Sequence, residues 1–242
     1  MNTITLRTLR ILGLSAMALS ASAQESVHMN HTASYIEMSA VTGQQEEFAQ
    51  FLTGAAPLVK ETEPGTVLWF ALQGPEKQLA IFDIFIDEEA RNAHFSGAVA
   101  GALNKNAERL VEGGWDDGVV ANINNSAVLS AKAPVDLYTA TTATYIKLTA
   151  APGQSDALEA LLRAAGPIVA ETEPKTLYWV ALQLDESNFA IFDIFADNTG
   201  REAHFAGQVA SLLKEKSSVL IEGSWDEGVV ANVNNFAILA IK

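Results

Sequence analysis

Hydrophobic and polar residues follow the same succession of patterns twice along this chain. In the first pass, the alternating stretch 34–40 predicts a strand, and apolar residues at helical spacing from Phe48 to Val59 predict a helix. The apolar stretches 66–73 and 79–86 then predict two strands joined by a short turn. The first unit therefore opens with a strand, a helix and two strands.

A second helix and a last strand complete this unit. Asp87 is a residue type suited to an N-cap, and Phe95, Val99 and Leu103 follow it at the spacing of an apolar helical stripe. The stretch 119–131 predicts the last strand. The resulting order β-α-β-β-α-β is that of the ferredoxin-like fold, an α+β arrangement whose antiparallel sheet carries its helices on one face.

The same unit recurs 110 residues later. Residues 35–132 align with residues 145–242 without a gap, and about half of the aligned pairs are identical. The six letters AIFDIF, with an acid inside an apolar run, stand in both copies. A period of this length indicates a duplicated domain rather than a solenoid, whose repeats are about 20–50 residues long.

The duplication predicts two ferredoxin-like domains that pack against each other. We place the first at 24–132 and the second at 142–242, joined by a linker at 133–141 that is too short to hold them apart. Each open sheet keeps one apolar face that needs a cover. The two sheets are therefore expected to face each other and form one α+β barrel within the chain.

Residues 1–23 are predicted to be a cleaved secretory signal peptide. They combine Arg7 and Arg10 with the short apolar run 11–20 and end on Ala-Ser-Ala at 21–23. This run is shorter than the roughly 20 apolar residues that a membrane span needs. We therefore expect an exported protein, periplasmic or secreted, with no membrane insertion after cleavage.

Composition and charge exclude several classes of function. The formal net charge of −14 argues against nucleic acid or an anionic membrane as the main partner, because both are bound through Lys and Arg. The sequence has no cysteine, which excludes disulfides, thiolate metal sites and a Cys nucleophile. It also lacks the motifs of phosphate-binding loops, dinucleotide-binding folds and zinc proteases, and we predict no metal site.

Two segments of the first copy, ETEPGTVLWFALQ at 61–73 and AIFDIFIDEEARNAHFSG at 80–97, resemble the antibiotic biosynthesis monooxygenase domain family. The second copy matches the same pattern, so the resemblance covers nearly all of the chain after residue 23. It implies a barrel made by two domains, with a pocket between sheet and helices in each. It also implies oxidation of quinols, anthrones or related aromatics by O₂, often without flavin or metal.

The resemblance therefore predicts a monooxygenase without a cofactor, with O₂ as co-substrate and a small aromatic or apolar molecule as its partner. The alternative is a non-catalytic protein that binds a small apolar molecule in the same pocket, and a haem-binding or haem-degrading protein is third. The two domains would act as an intrachain pseudo-dimer. The sequence leaves open whether this barrel dimerises further and whether one or both sites work.

Two histidines and two aspartates are the candidate catalytic residues. His94 and His204 lie beside the apolar stripes of their helices, and imidazole titrates near neutral pH, as a general base should. Asp83 and Asp193 stand inside the AIFDIF runs, so each must find a partner or become neutral. We predict the pairs Asp83–His94 and Asp193–His204, which either orient a catalytic imidazole or only tie helix to sheet.

Aromatic and amide side chains are candidate substrate contacts. A flat ring stacks well on indole, and asparagines paired on one face of a strand suggest a polar lining because Asn is rare in strands. The candidates are Trp69, Trp179, Trp115, Trp225, Asn122, Asn124, Asn232 and Asn234. The tryptophans are equally compatible with a structural role.

Four glutamates lie in the two ETEP segments, where the first helix of each unit ends. Because helix ends are usually solvated, we expect these side chains to be exposed and to have no catalytic role. They are Glu61, Glu63, Glu171 and Glu173. The first strands, at 34–40 and 144–150, also lack the Asn with which some oxygenases of this family polarise substrate or oxygen.

Overall fold

The computed structural model describes residues 31–242, so the predicted signal peptide lies outside the described residues. The strands are β1 (Thr32–Ser39), β2 (Thr66–Gln73), β3 (Gln78–Phe85), β4 (Ile123–Lys132), β5 (Thr142–Thr149), β6 (Thr176–Gln183), β7 (Asn188–Phe195) and β8 (Val233–Ile241). The helices are α1 (Gln45–Thr62), α2 (Glu88–Phe95), α3 (Ala98–Leu110), α4 (Ser155–Thr172), α5 (Asn198–Phe205), α6 (Gln208–Leu220) and the short α7 (Ser224–Gly228). None of the helices in this part of the chain is long and apolar enough to cross a membrane.

The eight strands of residues 31–242 close into a barrel in the order β1-β3-β2-β8-β5-β7-β6-β4. The first half of the chain contributes β4-β1-β3-β2 and the second half contributes β8-β5-β7-β6, each in the strand order of a ferredoxin-like sheet. The two sheets join where β2 pairs with β8 and where β4 pairs with β6, both antiparallel. The predicted fold, two ferredoxin-like units in one intrachain α+β barrel, is confirmed.

The interior of the barrel is packed with aromatic side chains. Tyr35 stacks on Tyr145, and Phe82 stacks on Phe192, each with ring centroids 3.8 Å apart. Two further hydrophobic clusters lie between the outer face of each half-sheet and its own helices. Because stacked rings fill the centre, space for a ligand near the predicted histidines lies outside the barrel, under the helices.

The predicted second helix of each half is divided into two helices. Asp87 begins α2 as predicted, its carboxylate accepting a hydrogen bond from the backbone N–H of Ala90 at 2.8 Å. The helix then ends at Phe95, and α3 begins after Gly97. A Cβ on Gly97 would lie 3.0 Å from a carboxylate oxygen of Glu63, so this glycine lets the break between α2 and α3 approach that side chain.

The turn before β2 shows a compensating exchange between the two halves. A Cβ on Gly65 would lie only 2.6 Å from the methyl carbon of Ala90. In the second half, Lys175 stands at the place of Gly65 and Gly200 at the place of Ala90. In each half, therefore, only one of these two neighbouring positions carries a side chain.

Gly65→Ala alone should lower the free energy of unfolding by about 1–3 kcal/mol, because the new methyl group overlaps Ala90. Ala90→Gly alone should cost about 1 kcal/mol, since glycine weakens a helix. The double variant recreates the arrangement of the second half and should be more stable than Gly65→Ala. Chemical denaturation of the three variants measures this coupling, and strictly additive effects would show that the two positions do not compete for space.

Candidate functional site

The aspartate of each AIFDIF run lies on the helix-facing side of the sheet. Asp83 is 0% exposed and pairs across the strands with Trp69. Within residues 31–242, neither of its carboxyl oxygens has a hydrogen-bond partner. Burial raises the pKa of Asp83 to about 7, opposed by the nearby imidazole of His94. The acid is therefore a buried group poised to change its protonation near neutral pH.

The imidazole of His94 lies between two carboxyl groups. Its Nδ1 is 2.5 Å from Oε2 of Glu63, which is hydrogen-bond distance, and its Nε2 is 3.8 Å from Oδ2 of Asp83. The predicted proximity of Asp83 and His94 is thus observed, although 3.8 Å exceeds the length of a hydrogen bond. The closer partner of this imidazole is Glu63.

The expectation that Glu63 and Glu173 are exposed is wrong. They are 9% and 7% exposed, whereas Glu61 and Glu171 lie at the surface as expected. Helix α1 ends at Thr62. The backbone of Glu63 is no longer helical (φ −126°, ψ 73°), and its side chain therefore points inward. A sequence signal was present, because ETEP is kept in both copies between positions that differ.

The second half repeats this arrangement. Nδ1 of His204 contacts Oε2 of Glu173, and its Nε2 lies 3.7 Å from Oδ2 of Asp193. Burial again raises the pKa of Asp193 to about 7. The hydroxyl of Thr176 donates a hydrogen bond to Oε2 of Glu173 at 3.3 Å. In the first half, the hydroxyl of Thr66 donates to Oε2 of Glu63 at 3.2 Å. The chain therefore holds two copies of one Glu–His–Asp cluster.

The carboxyl groups govern the protonation of the imidazole. Burial by itself lowers the pKa of His94, but the charges of Asp83 and Glu63 and the hydrogen bond to Glu63 outweigh burial and raise its pKa above the ordinary value. Lys242 opposes this increase. The pKa of His204 is raised in the same way by Asp193 and Glu173, and it is opposed by Lys132. Each imidazole is thus a stronger base than free histidine, and its neutral form gains population only above its raised pKa.

His94 also forms part of the wall of an apolar cavity between the sheet and helices α2 and α3. The cavity has a volume of about 180 Å³. It is lined by Ile36, Ile81, His94, Phe95, Val99, Ala100, Leu103, Trp115, Val119, Val120 and Ile123. At the corresponding positions of the second half the residues are identical, except that Val233 replaces Ile123. The two halves therefore offer nearly the same surroundings to a ligand.

The predicted tryptophans divide into two groups. Trp115 is half-buried and lines the apolar cavity, so its role as a substrate contact stays a prediction. Its counterpart Trp225 is also half-buried and carries the ammonium of Lys214 over its ring at 5.7 Å. Trp69 and Trp179 are completely buried beneath the helices, and their indole N–H groups have no hydrogen-bond partner in the part of the chain that the structure describes. In this structure the latter pair is part of the core.

The predicted asparagines lie away from the histidines. Residues Val120–Asn122 form a 3₁₀ turn, so β4 begins only at Ile123 and the predicted strand from 119 is too long. Nδ2 of Asn122 donates to the carbonyl of Gly118, and Nδ2 of Asn124 donates to the carbonyl of Asn122. Both residues and their counterparts Asn232 and Asn234 line a separate polar cavity of about 480 Å³.

Comparisons with known proteins identify the fold. A proposed monooxygenase from Fusobacterium nucleatum superimposes with a TM-score of 0.74 at 13% identity, over 89% of this chain and 95% of that chain. An anthrone oxidase-like protein superimposes with a TM-score of 0.54 at 11% identity, over 88% and 93%. A protein of unknown function from Nitrosomonas europaea is 35% identical, over 43% of this chain and 94% of that chain, with a TM-score of 0.39.

No protein-family model and no curated protein matches the sequence. The likeness to the solved monooxygenase-type structures confirms the barrel fold that the sequence resemblance implied. Because these structures share so few identical residues with the chain, the chemistry must be argued from the site itself.

Proposed function

We propose that this chain, which has the barrel fold of antibiotic biosynthesis monooxygenase proteins in tandem, is a monooxygenase that oxidises a small aromatic quinol with O₂ and without a cofactor. One observation carries this proposal: a buried imidazole held by a carboxylate stands in the wall of an apolar cavity. The resemblance of the sequence to the same family supports it. The predicted signal peptide would place the reaction outside the cytoplasm.

The Glu63–His94 contact prepares the imidazole to act as a base. With Nδ1–H donating to the Glu63 carboxylate, the lone pair of the neutral ring is on Nε2. That atom can take a phenolic proton, and both Glu63 and Asp83 stabilise the imidazolium that results. Because the pKa of His94 is raised, the rate should increase with pH until that pKa is passed.

The oxidation follows from removal of that proton. The phenolate gives one electron to O₂, and recombination of the ring radical with superoxide forms a carbon–oxygen bond. Loss of water then leaves a hydroxyquinone, so that one atom of O₂ enters the product and the other leaves as water. The chain's own tasks are to bind the ring, exclude water and hold the proton at Nε2.

The volume of the cavity favours a single ring. An apolar cavity of about 150 Å³ is large enough for one benzene molecule, and this one measures about 180 Å³. A monocyclic hydroquinol fits such a space better than a three-ring anthrone does. Of the two substrate types implied by the family resemblance, we therefore favour the hydroquinol.

The test is oxygen uptake with a panel of monocyclic hydroquinols and anthrones, with ¹⁸O₂ used to trace the product. Wild-type protein should consume O₂ with a hydroquinol and place one labelled atom in the quinone. The double variant Ala100→Phe, Ala210→Phe fills the apolar cavity and makes the same change at the equivalent position of the second half, and it should lose most of this activity, whereas Ala160→Phe on the exposed face of α4 should keep it.

The outcomes separate the candidate functions. A folded wild-type protein that binds hydroquinols without consuming O₂ would indicate the non-catalytic binding protein instead. A protein that neither binds nor oxidises any member of the panel would contradict both functions. Uptake that survives the cavity-filling variant would place the reaction elsewhere in the molecule.

A further inference from the structure

Each Glu–His–Asp cluster is contacted by a lysine from the opposite half of the chain. Lys242 follows β8 of the second half, and its backbone N–H donates to the carbonyl of Trp69 in the first half at 2.9 Å. Its ammonium donates to the carbonyl of Glu63 at 2.7 Å and also to the carbonyl of Thr66. This lysine therefore clamps both ends of the turn that carries Glu63.

The reverse contact is made by the first half. Lys132 ends β4 and pairs with Trp179 of β6. It is only 6% exposed, and its ammonium donates to the carbonyl of Glu173 at 2.7 Å. Because two independent copies make the same contact, the geometry is a property of the fold and not of one turn.

Lys242 and Lys132 each bind the backbone carbonyl of the glutamate whose carboxylate contacts the histidine. Glu63 is the first residue after α1, and its backbone carbonyl is free of the helix ladder. A charged donor on that carbonyl makes a strong hydrogen bond that restrains the backbone of Glu63, and with it the Cα–Cβ direction from which the side chain reaches His94. The backbone N–H of Thr66 donates to the same carbonyl at 3.2 Å, so the lysine adds a charged donor from the other half to a bond made within the turn.

We propose that Lys242 and Lys132 are positioning residues, each supplied by one half of the chain to hold the Glu–His contact of the other half. Neither site is then complete within its own half. A contribution of these lysines to catalysis rests on the proposed monooxygenase function. Their effect on the Glu–His contact can be measured without any substrate.

The test uses the imidazole ¹⁵N resonances of the full chain, which has four histidines in total. The pKa of His94 is measured in wild type, Lys242→Met and Lys132→Met, with His204 as the internal control. If Lys242 holds Glu63 in place, Lys242→Met weakens the Glu63–His94 contact and lowers the His94 pKa, while His204 stays unchanged. Lys132→Met should give the converse pattern.

The sign of the change decides between positioning and simple charge repulsion. The ammonium of Lys242 by itself lowers the pKa of His94, whereas Glu63 and Asp83 raise it. A lysine that acted only as a neighbouring charge would therefore leave a higher His94 pKa when removed, and that result would overturn the proposal. An unchanged pKa, or equal changes in both histidines, would overturn it as well.

Two further variants complete the experiment. Lys242→Arg keeps a charged donor and should retain most of the wild-type His94 pKa, and the exposed Lys147→Met should change neither histidine. If the pKa values change as expected but no variant or wild type consumes O₂, the positioning role stands and the monooxygenase proposal fails. If the pKa values change as expected but O₂ uptake is insensitive to both lysines, the positioning role stands and its catalytic meaning fails.

Discussion

A variant in which His94 and His204 are both replaced by alanine should lose oxygen uptake with hydroquinols by about 10²–10⁴-fold. This is the usual contribution of a positioned general base, and no other titratable group lines the apolar cavity among the described residues. Uptake rates at saturating hydroquinol, measured on protein with a wild-type circular dichroism spectrum, give the comparison. His31→Ala changes a histidine outside the cavity and is the matched control.

The single variants extend this prediction. Because the residues that line the cavity beside His94 recur almost unchanged around His204, His94→Ala and His204→Ala should each retain about half of the wild-type rate. A single variant as inactive as the double variant would show that only one half is catalytic. A double variant that keeps its uptake within about twofold of wild type would remove imidazole from the mechanism altogether.

The protein should become less stable as the pH rises from about 4 to above 7. The pKa of Asp83 is 3.8 in an unfolded chain and about 7 in the folded protein, so the folded state binds the extra proton over this range. Asp193 behaves in the same way, because burial raises its pKa to about 7 as well. His94 and His204 act in the same direction, because a raised pKa contributes stability that is lost as the pH rises through it.

The double variant Asp83→Asn, Asp193→Asn should remove most of this dependence. The amide cannot ionise, so at pH 8 the variant should be more stable than wild type by at least about 2 kcal/mol, whereas at pH 5 the two should be similar. Urea unfolding at both values measures the difference. Asp116→Asn with Asp226→Asn makes the same change of net charge at exposed, equivalent positions and should leave the dependence intact. A wild-type protein equally stable at pH 5 and pH 8 would show that the buried acids are not held protonated.

The periodic parts of the fold could be predicted from the sequence because periodicity reports the environment of a side chain. Strand β2 has the predicted bounds, 66–73, and the predicted proximity of Asp83 and His94 is observed. The gapless repeat indicated two units of the same fold. Because each sheet would leave one apolar face uncovered, the two faces were expected to pack against each other. The barrel could therefore be predicted from the hydrophobic periodicity and the repeat, without knowledge of any side-chain contact.

The principal partner of His94 could not be predicted in this way. Glu63 follows the last residue of α1, where the backbone leaves the helix and a helical or strand period no longer gives the side-chain direction. The 3₁₀ turn at Val120–Asn122 likewise interrupts the alternation that seemed to align the asparagines. Gly97 and Gly207 mark the break between the two helices in both copies, but the close approach to Glu63 at Gly97 cannot be read from the sequence.

The polar cavity that residues of both halves line shows a consequence of joining both units in one polypeptide. Glu37 and Lys147 occupy equivalent positions in the two halves, and both line this cavity beside the stacked Tyr35 and Tyr145. A dimer of two identical subunits would have to place the same residue at both positions, and would set two like charges there. Fusion frees the two positions to diverge, so this chain carries a charge asymmetry that a symmetric assembly of one sequence cannot encode.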